Sequence, residues 1–338
     1  AGFGGGVCVE DGSTFNMTGG EIKGNTVTQL GGGVYLNAGT TFRMTGGTIS
    51  SNVSKYQTSK GAGVYVVNGS SFIVSAGAEV SGNTDYAGKD NNVEVRSSES
   101  IITIAGKLTG SIGVTTYYDA DLNKPLTIAK AADDYNGLSE DDAACIKSDK
   151  GYYPFFADGE VKLYATQPQK HPICGKTCKH EGTEKHDDVI WEGISKLSDI
   201  TESGNYYLIN SISYNTGEPW VCKWDVKLCL NGESIYQPNA YKAVITIAAG
   251  GKLTLTDCKG EGKITHPDST AGIGVEVNGG TFTMYGGSIT NNQSGGVQVC
   301  GGSFTMYGGL ITNNTAGTNG GGVYVGYMSS SSTPTQYN

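Results

Sequence analysis

The sequence predicts an all-β fold: a parallel β-helix solenoid with three short strands per coil, in two blocks separated by a small cap and linker region. Three observations predict it. Glycine fills 53 of 338 positions and proline only 8, which excludes collagen and marks a chain full of turns. A glycine-valine step recurs at Val7, Val34 and Val64, and again at Val275, Val297 and Val323, with spacings of 22 to 30 residues. Each repeat then carries three short apolar alternations in a constant order.

The second repeat displays those alternations most plainly, as Val34-Tyr35-Leu36, Phe42-Arg43-Met44 and Thr48-Ile49-Ser50. A strand period of two sends Val34, Leu36, Phe42, Met44 and Ile49 to one side and Tyr35, Arg43, Thr48 and Ser50 to the other. The same inward set recurs as Val64, Val66, Phe72, Val74 and Val80. It returns as Val275, Val277, Phe282, Met284 and Ile289, then as Val297, Val299, Phe304, Met306 and Ile311. At ~1.5–3 kcal/mol for each buried side chain, five of them do not offset the ordering of a whole repeat. A single coil therefore does not fold alone, whereas a stack spaced by ~4.8 Å shares its ladders and its backbone hydrogen bonds. Gly46-Gly47 and Gly286-Gly287 follow the second alternation, where the chain must bend sharply. Asn25, Asn52, Asn83, Asn292 and Asn314 follow the third, a position suited to an asparagine ladder.

Along the chain, residues 1–114 hold β-helix coils that close a first unit, and residues 195–338 hold coils that open a second. Residues 115–166 lack the glycine-valine step and carry Asp133-Asp134, Asp141-Asp142 and the cluster Tyr152 to Phe156, which points to a cap or small mixed domain. Residues 167–194 form a polar linker with cysteine and histidine. Both ends fall in mid-pattern, so the chain is expected to be a piece of a longer polypeptide.

The segments Gly31-Gly32-Gly33-Val34-Tyr35-Leu36, Thr281-Phe282-Thr283-Met284-Tyr285-Gly286-Gly287 and Leu228-Cys229-Leu230-Asn231-Gly232 carry a resemblance over most of the chain. It resembles the glycine-rich right-handed parallel β-helix repeat proteins, adhesin-like and secreted or wall-associated, of gut Gram-positive bacteria. The stretch from Val93 to Leu163 looks like the closing segment of such units. The resemblance implies an extracellular or cell-wall setting and adhesin-like use, with glycans or surface proteins as partners. It transfers no catalytic residue.

Charge narrows the function further. Twenty-three basic and 32 acidic residues give a net charge of -9, so no nucleic-acid partner is expected. No apolar run approaches the ~18 residues of a membrane span. Polysaccharide lyases and hydrolases need clustered carboxylates, yet the outward positions of the first strand read Cys8, Tyr35, Tyr65, Glu276, Gln298 and Tyr324. The chain is thus read first as a structural or adhesive module, with a polysaccharide-degrading enzyme as the alternative. Exposed tyrosines stack on sugar rings or dock proteins, so Tyr35, Tyr65, Tyr324, Tyr285 and Tyr307 are candidate binding residues, unless their ladders serve only to hold the stack. The matching patterns at Val7 and Val323 also allow end-to-end self-association by strand addition.

The densest chemistry is His171-x2-Cys174-x3-Cys178-x-His180, with His186 beyond it. Thiolates and imidazoles suit a structural zinc ion; a Cys174–Cys178 disulfide is the competing reading. Eight cysteines, an even number, fit an oxidising compartment, and at least one bridge is expected among Cys222, Cys229 and Cys258.

Overall fold

The computed structural model describes residues 2–55, 61–121, 124–174, 187–214, 217–267, 270–317 and 320–326. It is nearly all β, with 48% strand and 3% helix, and its sheets are predominantly parallel. No helix among the described residues is long and apolar enough to cross a membrane. The chain forms two compact units, Ala1–Gln167 and Pro168–Asn338.

In the first unit, strands Val7–Val9, Val34–Leu36, Val64–Val66, Val93–Val95 and Ile112–Thr116 pair in parallel, valine on valine. A second row runs Thr14–Met17, Thr41–Met44, Ser71–Ala76, Ile102–Leu108 and Leu126–Ala131. The third runs Glu21–Lys23, Thr48–Ser50, Glu79–Ser81, Ile112–Thr116 and Ile146–Ser148, and within it Ile112–Thr116 also pairs with the first row. There the rows merge and the repeat ends. Residues 126–164 close the second row with antiparallel strands Tyr153–Ala157 and Glu160–Tyr164, next to the short helix Glu140–Ala144.

The described residues of the second unit form three sheets. Each full repeat contributes one strand to each, as Lys252–Thr256, Lys263–Thr265 and Gly272–Val277 do. Its first sheet begins with an antiparallel hairpin of Gln169–Pro172 and Asp188–Ile194. These residues were expected to be linker; instead the pairing makes them strands of the second unit.

Alternation explains the core. Val34, Leu36, Phe42, Met44 and Ile49 are all fully buried. Phe15, Phe42 and Phe72 stack at 4.9 and 5.1 Å, and Phe282 stacks on Phe304 at 5.0 Å, close to the strand spacing. At the final repeat Met306 is 42% exposed and Phe304 and Ile311 are only half-buried, because no further described repeat covers them.

The polar counterpart is a chain of side-chain amides. Asn52 Nδ2 donates to Asn83 Oδ1 at 2.8 Å, and Asn83 Nδ2 donates to Asn92 Oδ1 at 2.9 Å. Asn292 Nδ2 donates to Asn314 Oδ1 in the second unit, where His266 Nδ1 sits 2.7 Å from Asn292 Oδ1 and takes the next place in the ladder. The glycine before Val34 sits where neighbouring repeats close on one another, with an amide among its contacts. A Cβ on Gly33 would meet Gly63 O at 2.6 Å, Ile49 Cγ2 at 2.8 Å and Asn52 Nδ2 at 3.0 Å.

Candidate functional site

Three places on the described surface carry chemistry, and the first is the expected tyrosine array. Tyr35 and Tyr65 occupy paired positions, and their rings stack at 5.8 Å and 3°. Tyr65 is only 7% exposed, and its hydroxyl accepts a hydrogen bond from Arg96 Nη1 at 2.9 Å. Burial pushes the phenol pKa up, and that hydrogen bond opposes the shift. A ring so enclosed offers no face to a ligand, so Tyr65 belongs to the stack and not to a binding stripe. Tyr324 is half-buried and pairs with Gln298, not with another tyrosine. Tyr285 and Tyr307 stack at 4.9 Å and 10°, with Tyr307 exposed.

The second place is a cleft of about 610 Å³ in the first unit, walled by Asp85, Asp90, Glu94, Tyr117, Asp119 and Tyr152. Glu94 is the outward residue of Val93–Val95 and pairs with Tyr65 on one side and Thr115 on the other. It therefore continues the tyrosine column as a carboxylate. Its Oε1 lies 3.5 Å from Arg96 Nη1, and the Arg96 guanidinium sits 4.3 Å from the exposed Tyr117 ring. Asp119 accepts from Lys150 Nζ at 2.7 Å, and this hydrogen bond holds its carboxyl below the usual range. Asp149 behaves in the opposite way. Burial raises its pKa, although it accepts from Asn92 N, Asn92 Nδ2 and Thr115 Oγ1 at 2.6 to 2.8 Å. Those three donors identify it as the terminal acceptor of the asparagine ladder.

The sequence reading missed this cleft because Asn91-Asn92 replaces the glycine-valine step ahead of Val93. The Val-x-Val spacing alone would have added Glu94 to the outward positions.

The third place lies in the second unit. A ring nitrogen of His171 and the sulfurs of Cys229 and Cys258 all lie within 4.8 Å of one another. His171 comes from the hairpin strand Gln169–Pro172, Cys229 ends the strand Asp225–Cys229, and Cys258 follows Lys252–Thr256. The Trp191 ring stacks on His171 at 4.5 Å, and its indole N–H donates to the His171 carbonyl at 2.9 Å. His171 and Cys229 are buried and Cys258 is half-buried. The Cys258 amide donates to Cys229 Sγ at 3.4 Å. The side-chain hydrogen bond between the two cysteines lowers the Cys258 pKa and raises that of Cys229, whose burial adds to the rise.

The expected metal set is thus divided. His171 groups with Cys229 and Cys258; Cys174, also buried, is not a member of that group. Cys178, His180 and His186 lie outside the described residues. No disulfide forms among the described residues: Cys222, Cys229 and Cys258 are free thiols, so the bridge expected among these three is not made. Cys222 Sγ points instead toward the carbonyls of Trp224 and Lys252 at 3.4 and 3.5 Å. The signal for the Cys229–Cys258 juxtaposition was their spacing of 29 residues, two more than the 27-residue register that pairs Cys229 with Thr256.

No protein-family model, curated protein or solved structure matches this chain.

Proposed function

We propose that each unit is a parallel β-helix solenoid with three strands per coil, and that the chain works outside the cell as a rigid spacer and adhesive surface for glycans. Strand-for-strand parallel register supports the solenoid, because successive repeats pair Val7 with Val34 and Val34 with Val64. The extracellular setting rests on the sequence resemblance. The observation that carries the binding role is the open cleft beside Glu94, where Tyr117 and Tyr152 supply ring surface and Asp90 and Asp119 supply acceptors for sugar hydroxyls. Acidic walls disfavour polyuronides, so neutral or amino sugars are the matching class.

Enzymatic polysaccharide cleavage is the second reading, favoured by the several carboxylates in this one cleft. The bonding of those groups argues for holding a ligand over breaking one. Asp149 is occupied by three donors, and Glu94 lies beside Arg96. Retention of the full chain on immobilised neutral, amino and acidic polysaccharides tests the proposal. Binding to the first two classes that falls roughly tenfold or more in Tyr117→Ala supports it. Binding unchanged in that variant refutes the cleft, and release of reducing ends that stops in Glu94→Gln establishes the enzyme instead.

A further inference from the structure

We propose that His171, Cys229 and Cys258 form a zinc site that ties the hairpin at the start of the second unit to two successive repeats. The arrangement of donors carries this inference. His171 Nδ1 lies 2.9 Å from the Pro172 carbonyl, which only accepts, so that nitrogen carries the proton. That leaves the other ring nitrogen, Nε2, as the one able to bind a metal. It is buried with no hydrogen-bond partner of good geometry among the described residues, and His171 forms a cluster with both sulfurs. A backbone carbonyl holding one nitrogen while the other is presented to a metal is the usual second shell of a histidine ligand.

The spacing agrees with a tetrahedral ion. Zinc at ~2.3 Å from sulfur and ~2.0 Å from nitrogen sets ligand atoms roughly 3.3–3.8 Å apart, and the three donors lie within 4.8 Å of one another. Two soft sulfurs with one imidazole select zinc over calcium or magnesium, which take oxygen. Asn231 Oδ1, 3.5 Å from Cys258 Sγ, stands beside the fourth corner, which it or a water molecule completes. A Cys229–Cys258 disulfide would leave Nε2 buried and unsatisfied, at a cost of ~1–3 kcal/mol, whereas the metal satisfies all three donors together.

The sequence positions give the site its structural meaning. His171 sits on the outermost strand of its sheet, whose backbone pairs with Asp188–Ile194. Bonds to Cys229 and Cys258 anchor that strand to positions 58 and 87 residues further along the chain. Trp191, stacked on the imidazole, closes one side of the cluster.

The test uses the full chain, purified with reductant, stripped by a chelator and titrated with zinc or with cobalt(II). Wild type is expected to keep one metal per chain through gel filtration, and the cobalt form to show thiolate charge-transfer bands and the intense visible bands of a tetrahedral ion. His171→Gln should weaken zinc by roughly tenfold or more while keeping the circular dichroism of the parent. Cys229→Ser/Cys258→Ser should abolish uptake. The variant Cys174→Ser/Cys178→Ser/His180→Gln/His186→Gln, which removes the neighbouring sequence-local donors, should leave uptake unchanged. Should the double cysteine variant fail to fold, alkylation of the wild type decides: zinc should protect Cys258 from iodoacetamide while exposed Cys8 reacts equally with and without metal. The proposal is overturned by no retained metal, by metal lost only in the fourfold variant, or by Cys258 reacting at the same rate in both states.

Discussion

The asparagine ladder allows a quantitative test of how the first unit holds together, through Asn52→Ala. Asn52 is fully buried. Its Oδ1 accepts from Asn25 N at 2.9 Å and from Asn25 Nδ2 at 3.0 Å. Its Nδ2 donates to Ile22 O at 2.9 Å and to Asn83 Oδ1 at 2.8 Å. Truncation removes four bonds worth ~1 kcal/mol each, and strands acceptors that water reaches poorly. The expected loss is about 4 kcal/mol, or roughly 2 M in urea midpoint for a slope of ~2 kcal/mol/M. Asn25→Ala provides the control. Asn25 is half-buried, and its side chain makes a single ladder bond, to Asn52, so its loss is about 1 kcal/mol. All three tryptophans, Trp191, Trp220 and Trp224, lie in the second unit. Urea unfolding of Asn52→Ala should therefore shift the early part of the far-ultraviolet dichroism transition and leave the tryptophan fluorescence transition in place. Equal losses for the two variants, or a matching movement of the fluorescence transition, would show that the ladder is not what these bonds describe.

Other perturbations probe different parts of the argument. Gly33→Ala forces a Cβ against Gly63 O at 2.6 Å and should cost ~1–3 kcal/mol or more, whereas Gly39→Ala meets nothing within 4 Å and carries only the strain of its φ of 75°. Thermal melts that rank Gly39→Ala as the more damaging would contradict the close-packed corner. Tyr65→Phe should lose about 1 kcal/mol through the hydrogen bond from Arg96 while leaving polysaccharide retention intact, since this ring is part of the stack. A drop in retention without a drop in stability would return Tyr65 to the binding surface. For Asp149, burial raises the folded-state pKa above the ordinary 3.8, so the folded chain binds the proton more tightly than the unfolded one. Its contribution then falls as pH rises from 3.8 through the raised folded value. Asp149→Asn, which keeps one acceptor for the three donors of Asn92 and Thr115, should compare most favourably with wild type at neutral pH and lose ground toward pH ~4, measured as paired urea midpoints. An advantage that grows on acidification would reverse the assignment.

The legible part of this molecule is the part that repeats. Inward valine, phenylalanine and isoleucine positions were readable from period-two alternation because the interior of each repeat is apolar, and Val34, Phe42 and Ile49 are buried accordingly. The ladder asparagines were readable because a polar residue recurring at one place in every repeat must bond to its own copies. Tyr65 went the other way: its outward position was correct, but Arg96 and Glu94 from the next repeat fold over it, a contact that alternation does not encode. The cleft escaped for a related reason. Ile112–Thr116 pairs with both Glu79–Ser81 and Val93–Val95, so the repeat shortens there and gathers Glu94, Tyr117 and Asp119 from segments that no longer match a common pattern.

The thiol cluster shows what a sequence-local motif search overlooks in a stacked fold. His171 was grouped with Cys174, Cys178, His180 and His186 because metal motifs are usually read as neighbours in sequence. In a parallel stack the nearest neighbours of a residue lie one repeat away, so a spacing of 29 residues between Cys229 and Cys258 is a contact distance. The hairpin then brings in His171 from a strand that does not repeat at all, which neither periodicity nor motif spacing reveals. Donor pairs separated by one repeat length, together with an irregular segment bearing a third donor, form the pattern to look for in other stacked β chains. In this chain it separates Cys229 and Cys258, which share a partner, from Cys222, which lies at no such spacing from another cysteine and whose sulfur turns to backbone carbonyls.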